Sequence, residues 1–205
     1  MFRESLPNLS SKVRFINAVP GTPNIDIYTG GNLLKSNLAF GTISEYIDFA
    51  PGDYVIDIYP SGTYDTAIFS GTLTVIPNSY STASLITNNS ELSFFVLRDT
   101  ASKASLDISF LRFINLSPTS PLLSLSIRNR ETLFDSVEYL ETTGYYPLSP
   151  GIYNFTLSLS GATSISRTLS NVSLIPGEFE TLYVVGVLNG EPEVGYILTR
   201  DGRQD

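Results

Sequence analysis

The acidic side chains Asp26, Asp48, Asp53, Asp57 and Asp65 are the first residues whose types could do chemistry. Loop carboxylates can gather a Ca²⁺ ion, and a facing pair can hydrolyse a glycosidic bond. Their spacing fits no Ca²⁺ loop. The first four align in the second half of the chain with Ser124, Pro147, Ile152 and Thr156, so no acidic cluster recurs. Solvated strand faces are their expected setting. Nucleophilic chemistry has even less to stand on. The chain contains no histidine and no cysteine, which removes the commonest general base, the thiolate and the soft metal ligands. No serine sits in Gly-x-Ser-x-Gly, and Lys12, Lys35 and Lys103 lack a Ser-x-x-Lys context. Lys12, a position from which a lysine could crosslink to asparagine, aligns with Phe110 in the second half. The expectation is a protein that is not an enzyme, with no catalytic residue, metal or cofactor.

Binding is the chemistry left open. Among twelve tyrosines and twelve phenylalanines, Tyr28, Tyr59 and Tyr64 are the candidates for stacking against a sugar ring. Residues 1–11 precede the first strand and have no counterpart in the second half. Leu6 and Leu9 flank Pro7 there and could add to the open edge of another subunit, an arm suited to assembly. With 12 basic against 20 acidic residues, evenly spread, no cationic face is available for phosphates or anionic lipid, so nucleic acid is not an expected partner. Nor is membrane insertion, since no run of ~20 apolar residues is present. The start lacks the apolar core of a signal peptide, which suggests cytoplasmic synthesis.

These residues must be positioned by extended chain. Charged residues are only 16% of the total, and Ser, Thr and Asn fill the deficit, a composition that favours strands over exposed helices. Apolar residues alternate with period two: Val13 and Phe15 against Arg14 and Ile16, Ile25 and Ile27 against Asp26 and Tyr28, Tyr54, Ile56 and Ile58 against Val55, Asp57 and Tyr59. Turn formers bound each run, giving seven or eight strands per ~100 residues, the pattern of a two-sheet sandwich. Leu133 to Leu140 is the single stretch that could be a loop or a short helical turn.

The chain also repeats. Arg14-Phe15-Ile16-Asn17 returns as Arg112-Phe113-Ile114-Asn115, and Pro51-Gly52-Asp53-Tyr54 as Pro150-Gly151-Ile152-Tyr153. Ile76-Pro77 returns as Ile175-Pro176, and Arg98-Asp99 as Arg200-Asp201. A fixed period fixes architecture. The boundaries read as an arm over 1–11, a first copy over 12–99, a linker over 100–106, a second copy over 107–201 and a tail over 202–205. Arg14, Asn17, Arg112 and Asn115 are expected to hold the scaffold. Each Pro-Gly pair suits a type II turn that places Tyr54 or Tyr153 as a corner-fixing ring with its hydroxyl on a loop backbone. The linker is short and lacks Pro and Gly, which suggests two sandwiches end to end in a semi-rigid rod.

The combination of Arg-Phe-Ile-Asn, a Pro-rich turn, Ile25-Asp26-Ile27-Tyr28, a Gly-rich hairpin, Phe40-Gly41, Tyr46 and Pro51-Gly52-Asp53-Tyr54 resembles the bacterial repeat family called domain of unknown function family 4397. The first copy carries the resemblance over most of residues 12–99, and the second is more divergent. The resemblance implies an all-β chain of two tandem Ig-like Greek-key sandwiches, or transthyretin-like ones, with no established catalytic residues. It also implies a secreted or surface setting. Together these readings lead to the expectation of a structural protein of a bacterial spore or cell surface, a subunit of a layer or fibre that associates with itself or another surface protein. A carbohydrate-binding or adhesion module is the alternative.

Overall fold

A computed structural model describes residues 10–128, 130–159, 165–187 and 190–202. Every regular element in them is a strand. In the first copy these are β1 (Ser11–Asn17), β2 (Ile25–Thr29), β3 (Asn32–Leu38), β4 (Ile47–Phe49), β5 (Gly52–Pro60), β6 (Phe69–Val75), β7 (Tyr80–Asn88) and β8 (Glu91–Asp99). The second copy repeats them as β9 (Ser109–Asn115), β10 (Leu123–Ile127), β11 (Thr132–Val137), β12 (Tyr146–Leu148), β13 (Gly151–Leu159), β14 (Ile165–Leu174), β15 (Phe179–Val185) and β16 (Gly195–Arg200). Of the stretch from Leu133 to Leu140, the part to Val137 therefore belongs to strand β11, and a turn follows at Tyr139 and Leu140.

Each copy is a sandwich of two four-stranded sheets, ordered β3-β2-β5-β6 and β4-β1-β7-β8 in the first, and β11-β10-β13-β14 and β12-β9-β15-β16 in the second. Neighbouring strands run antiparallel except at β1–β7 and β9–β15, which are parallel. The alternation does what the pattern implies. Val13, Phe15, Ala83 and Leu85 point one way and meet Ile25, Ile27, Ile56, Ile58 and Leu73 of the facing sheet to form the first core. Leu111, Phe113, Leu182 and Val184 do the same against β10, β13 and β14.

The opposite faces of β1 and β9 are also buried. A third cluster joins Ile16, Ala18 and Ile86 of the first copy to Ile114, Leu116, Tyr183, Val185 and Ile197 of the second. The two inner sheets thus pack on each other and the chain is a stack of four layers. This corrects the end-to-end rod. Burying a Val, Leu or Ile side chain contributes roughly 1.5–3 kcal/mol, so the six larger aliphatic residues of this cluster (Ile16, Ile86, Ile114, Leu116, Val185 and Ile197) outweigh any direction the linker could impose. The linker follows the packing instead: the Ala104 N–H donates to the Gly177 carbonyl at 2.8 Å and Lys103 pairs with Glu178.

Two local readings also change. Ser11 already belongs to β1, one residue inside the expected arm, while Leu6 and Leu9 lie outside the described residues. Gly52 and Gly151 have φ of 147° and 156°, far from the ~+80° of a type II turn. They open β5 and β13 in a conformation that suits a residue without Cβ. The tyrosines that follow still close the corner, Tyr54 donating to the Ala50 carbonyl at 2.9 Å and Tyr153 to the Ser149 carbonyl at 2.7 Å.

Candidate functional site

Arg14 and Arg112 occupy matching places on β1 and β9, and the pleat turns both away from their own cores. Each guanidinium first anchors within its copy: Arg14 Nε donates to Thr82 Oγ1 at 2.8 Å, and Arg112 Nε to Thr181 Oγ1 at 2.9 Å. Each then crosses to the other copy. Arg14 Nη2 reaches Asp201 Oδ1 at 2.6 Å and Arg14 Nη1 the Arg200 carbonyl at 2.7 Å. Arg112 Nη2 reaches Asp99 Oδ1 at 2.7 Å and Arg112 Nη1 the Arg98 carbonyl at 3.0 Å. The remaining cation–anion contacts, Arg14 to Asp99 at 3.4 Å and Arg112 to Asp201 at 3.1 Å, close a quartet.

Aromatic lids cover it. Tyr46 lies under the Arg14 guanidinium at 4.5 Å and donates its hydroxyl to Asp99 Oδ2 at 2.7 Å; Tyr145 lies under Arg112 at 4.8 Å and donates to Asp201 Oδ2 at 2.6 Å. Both Asp side chains are wholly buried and both Arg nearly so. Two cations and two anions cancel, which is the condition for keeping charge in a dry interior. Burial opposes the charge on Arg14 and Arg112, but the facing carboxylates outweigh it and hold both pKa values above the ordinary one. Burial likewise pushes the Tyr46 and Tyr145 hydroxyls far up. Each charged group of the centre is engaged by a group of the opposite copy, and the arrangement holds the two copies together. Sequence reasoning singled out Arg14 and Arg112 as scaffold but missed that their partners lie in the opposite copy. The repeated Arg-Asp pair and the Tyr46/Tyr145 match at a spacing of 99 were the available signals.

Asn17 and Asn115 hold the turn after the first strand of each copy. Asn17 Oδ1 accepts from Thr22 Oγ1 and its amide donates to the Leu38 carbonyl, while Asn115 does the same with Ser120 and Val137. Pro51 and Pro150 lead into β5 and β13.

The expected sugar-stacking residues converge. Tyr28 on β2 and Tyr59 on β5 project from the outer face, and Tyr64 folds over them from the following turn. Ring centroids lie 5.5 Å (Tyr28–Tyr59), 4.8 Å (Tyr28–Tyr64) and 4.7 Å (Tyr59–Tyr64) apart. Tyr64 is 53% exposed. The Tyr59 hydroxyl is held above its ordinary pKa by partial desolvation, with Tyr64 and Asp57 adding to it. The strand registers put Ser126 and Ser158 at the Tyr28 and Tyr59 positions of the second copy, so the cluster belongs to the first copy alone.

The carboxylates scatter. Asp48 pairs with Lys12 at 2.7 Å, Asp53 accepts from Thr74 and Asp57 from Ser70. Asp26 is not on a solvated face: it is buried and accepts the N–H groups of Asn37 at 2.7 Å and Gly62 at 2.9 Å. Burial works against its charge, but those N–H donors prevail and its pKa falls below the usual range. Asn37 sits at φ 53° in a register shift of β3, and Asp26 satisfies the N–H that the shift frees. Ser124 takes the same post in the second copy, its hydroxyl accepting the Ser136 N–H at 3.1 Å. The acid is lost between copies while its task is kept. In the second copy a shallow depression of about 450 Å³ is lined by Ile127, Arg128, Arg130, Ile152, Tyr153 and Asn154.

Fold and site define a tandem β-sandwich protein whose most elaborate polar centre joins its own two halves. The family profile described as Domain of unknown function (DUF4397) matches residues 11–126, more than half the chain, and the protein belongs to that family. No curated protein matches the chain.

Proposed function

We propose that this is a non-enzymatic structural protein, a preformed rigid block for a bacterial surface layer or fibre. The observation that carries the reading is where the buried charge goes. Arg14, Arg112, Asp99 and Asp201 are all consumed in locking two sandwiches face to face, and Asp26 and Glu180 each accept backbone N–H groups. Such a body resists shear without disulfides. Its outer faces and edges stay available: β8 is a nine-residue edge strand hydrogen-bonded on one side only, a template for strand addition. Sedimentation velocity and electron microscopy of the intact chain, against a chain lacking residues 1–10, test this. Concentration-dependent oligomers that the truncation abolishes support it; monomers at every concentration contradict it.

The Tyr28–Tyr59–Tyr64 cluster favours carbohydrate recognition as a second reading, because exposed aromatic faces take up the apolar face of a pyranose ring. A glycan array answers directly. Binding lost in Tyr64→Ala supports this reading, and no retained glycan contradicts it.

A further inference from the structure

The contacts of the charge quartet obey a two-fold rule. Each copy contributes one Arg, one Asp, one Tyr and one Thr, and the Arg-to-Asp and Arg-to-carbonyl bonds from the first copy to the second have matching bonds in reverse; the bond from Arg14 Nη1 to Thr199 Oγ1 at 2.8 Å departs from the rule, since Leu97 stands at the equivalent place in the first copy. The matching bonds are the signature of an isologous interface, in which one surface patch meets a copy of itself. We infer that the β1–β7–β8 face of this domain is a pairing surface for a second domain of its own kind, supplied by the same chain or by another, and that Ser84 and Tyr183 decide which pairs form.

The two copies also differ at one central place. Ser84 lies one pleat along β7 from Thr82, and Tyr183 one pleat along β15 from Thr181; the registers make them equivalents. Both side chains are on the interface face and fully buried. Neither hydroxyl has a hydrogen-bond partner among the described residues, so hydrogen bonding is not what these positions select. Volume is. Tyr183 packs with Ile16 and Ile86, the neighbours of Ser84 on the first copy's face, in the cluster that joins the copies. In a like pair this face meets its own image. Two tyrosines would compete for one space, two serines would leave it underfilled, and one of each fills it. The sequence difference thus favours first-with-second pairing, tolerates first-with-first and forbids second-with-second. This inference does not depend on the surface role.

The test uses the full chain with a protease recognition sequence inserted between Ser102 and Lys103. After cleavage, native mass spectrometry at about 10 μM follows the pairs formed when isotopically labelled and unlabelled preparations are mixed. The expected result is non-covalent first–second pairs that exchange partners, minor first–first pairs, and second–second pairs at least about tenfold rarer than first–first. Tyr183→Ser should raise second–second pairs at least about tenfold, and Tyr183→Phe, which keeps the ring, should leave the distribution unchanged. Far-ultraviolet circular dichroism confirms that each variant is folded. Halves that part into monomers, second–second pairs as common as first–second, or a second–second population unmoved by Tyr183→Ser would each overturn the inference.

Discussion

Replacing Asp201 with Asn is the sharpest perturbation of the inter-copy lock. The Asp201 carboxylate accepts from Arg14 at 2.6 Å, from Arg112 at 3.1 Å and from Tyr145 at 2.6 Å, and also from Thr181. The substitution keeps the shape but leaves two buried guanidiniums sharing Asp99 alone, and turns one acceptor into a donor facing donors. Breaking a buried pair in this way costs about 3–5 kcal/mol. For a chain of this size each kcal/mol moves Tm by roughly 2–4 °C, so a fall of about 6–20 °C is expected. Arg14→Met supplies the second arm of a double-mutant cycle. The double variant leaves Arg112 with Asp99, a neutral pair, and should be less destabilised than the sum of the single losses, with a coupling of roughly 0.5–3 kcal/mol. Urea unfolding followed by circular dichroism and tyrosine fluorescence measures all four corners. A loss under about 1 kcal/mol for Asp201→Asn, or strict additivity, would refute the reasoning.

Further outcomes follow from single contacts. Burial raises the Glu180 carboxyl to about 7, although it accepts the Ile175 N–H at 2.9 Å. Its unfolded value is near ~4.3, so its contribution is most favourable below that pH and is lost as pH rises through about 7; Glu180→Gln should be the more stable protein at pH 8 and lose the advantage at pH 4, as thermal melts across pH would show. Tyr54→Phe or Tyr153→Phe removes one corner hydrogen bond and should cost about 0.5–1.5 kcal/mol by urea titration. Gly202→Ala would drive a Cβ into the Thr100 carbonyl oxygen at φ +70°, so it should lower Tm far more than Gly62→Ala, which has positive φ but open space around it.

The strands and both sandwich cores could be read from the alternation of residues such as Val13–Phe15 and Ile56–Ile58, because each side chain's face follows from period two alone. The tyrosine cluster was similarly accessible, since Tyr28 and Tyr59 fall on the outward parity. The packing of the copies was less so. Ile16 and Ile114 put an apolar residue on the outward faces of β1 and β9, a sign of a strand covered on both sides, yet the linker composition suggested separation in line. Arg14 beside Ile16 hid the signal, because an arginine normally marks a solvent face and its neutralising Asp201 is 187 residues away. Asp26 was misjudged for a related reason. The N–H groups that hold it come from a register shift in β3 and a turn after β5, neither visible in residue types.

Small-angle X-ray scattering of the intact chain tests most directly that the two copies form one body held face to face. A compact body of this length has a radius of gyration of about 17 Å, whereas two touching 100-residue domains in line give about 21 Å or more. The four-layer stack requires a value near the lower figure, with no rise on going to high salt, since the quartet is shielded from solvent ions. A value at or above the upper figure, or one that climbs with salt, would contradict it.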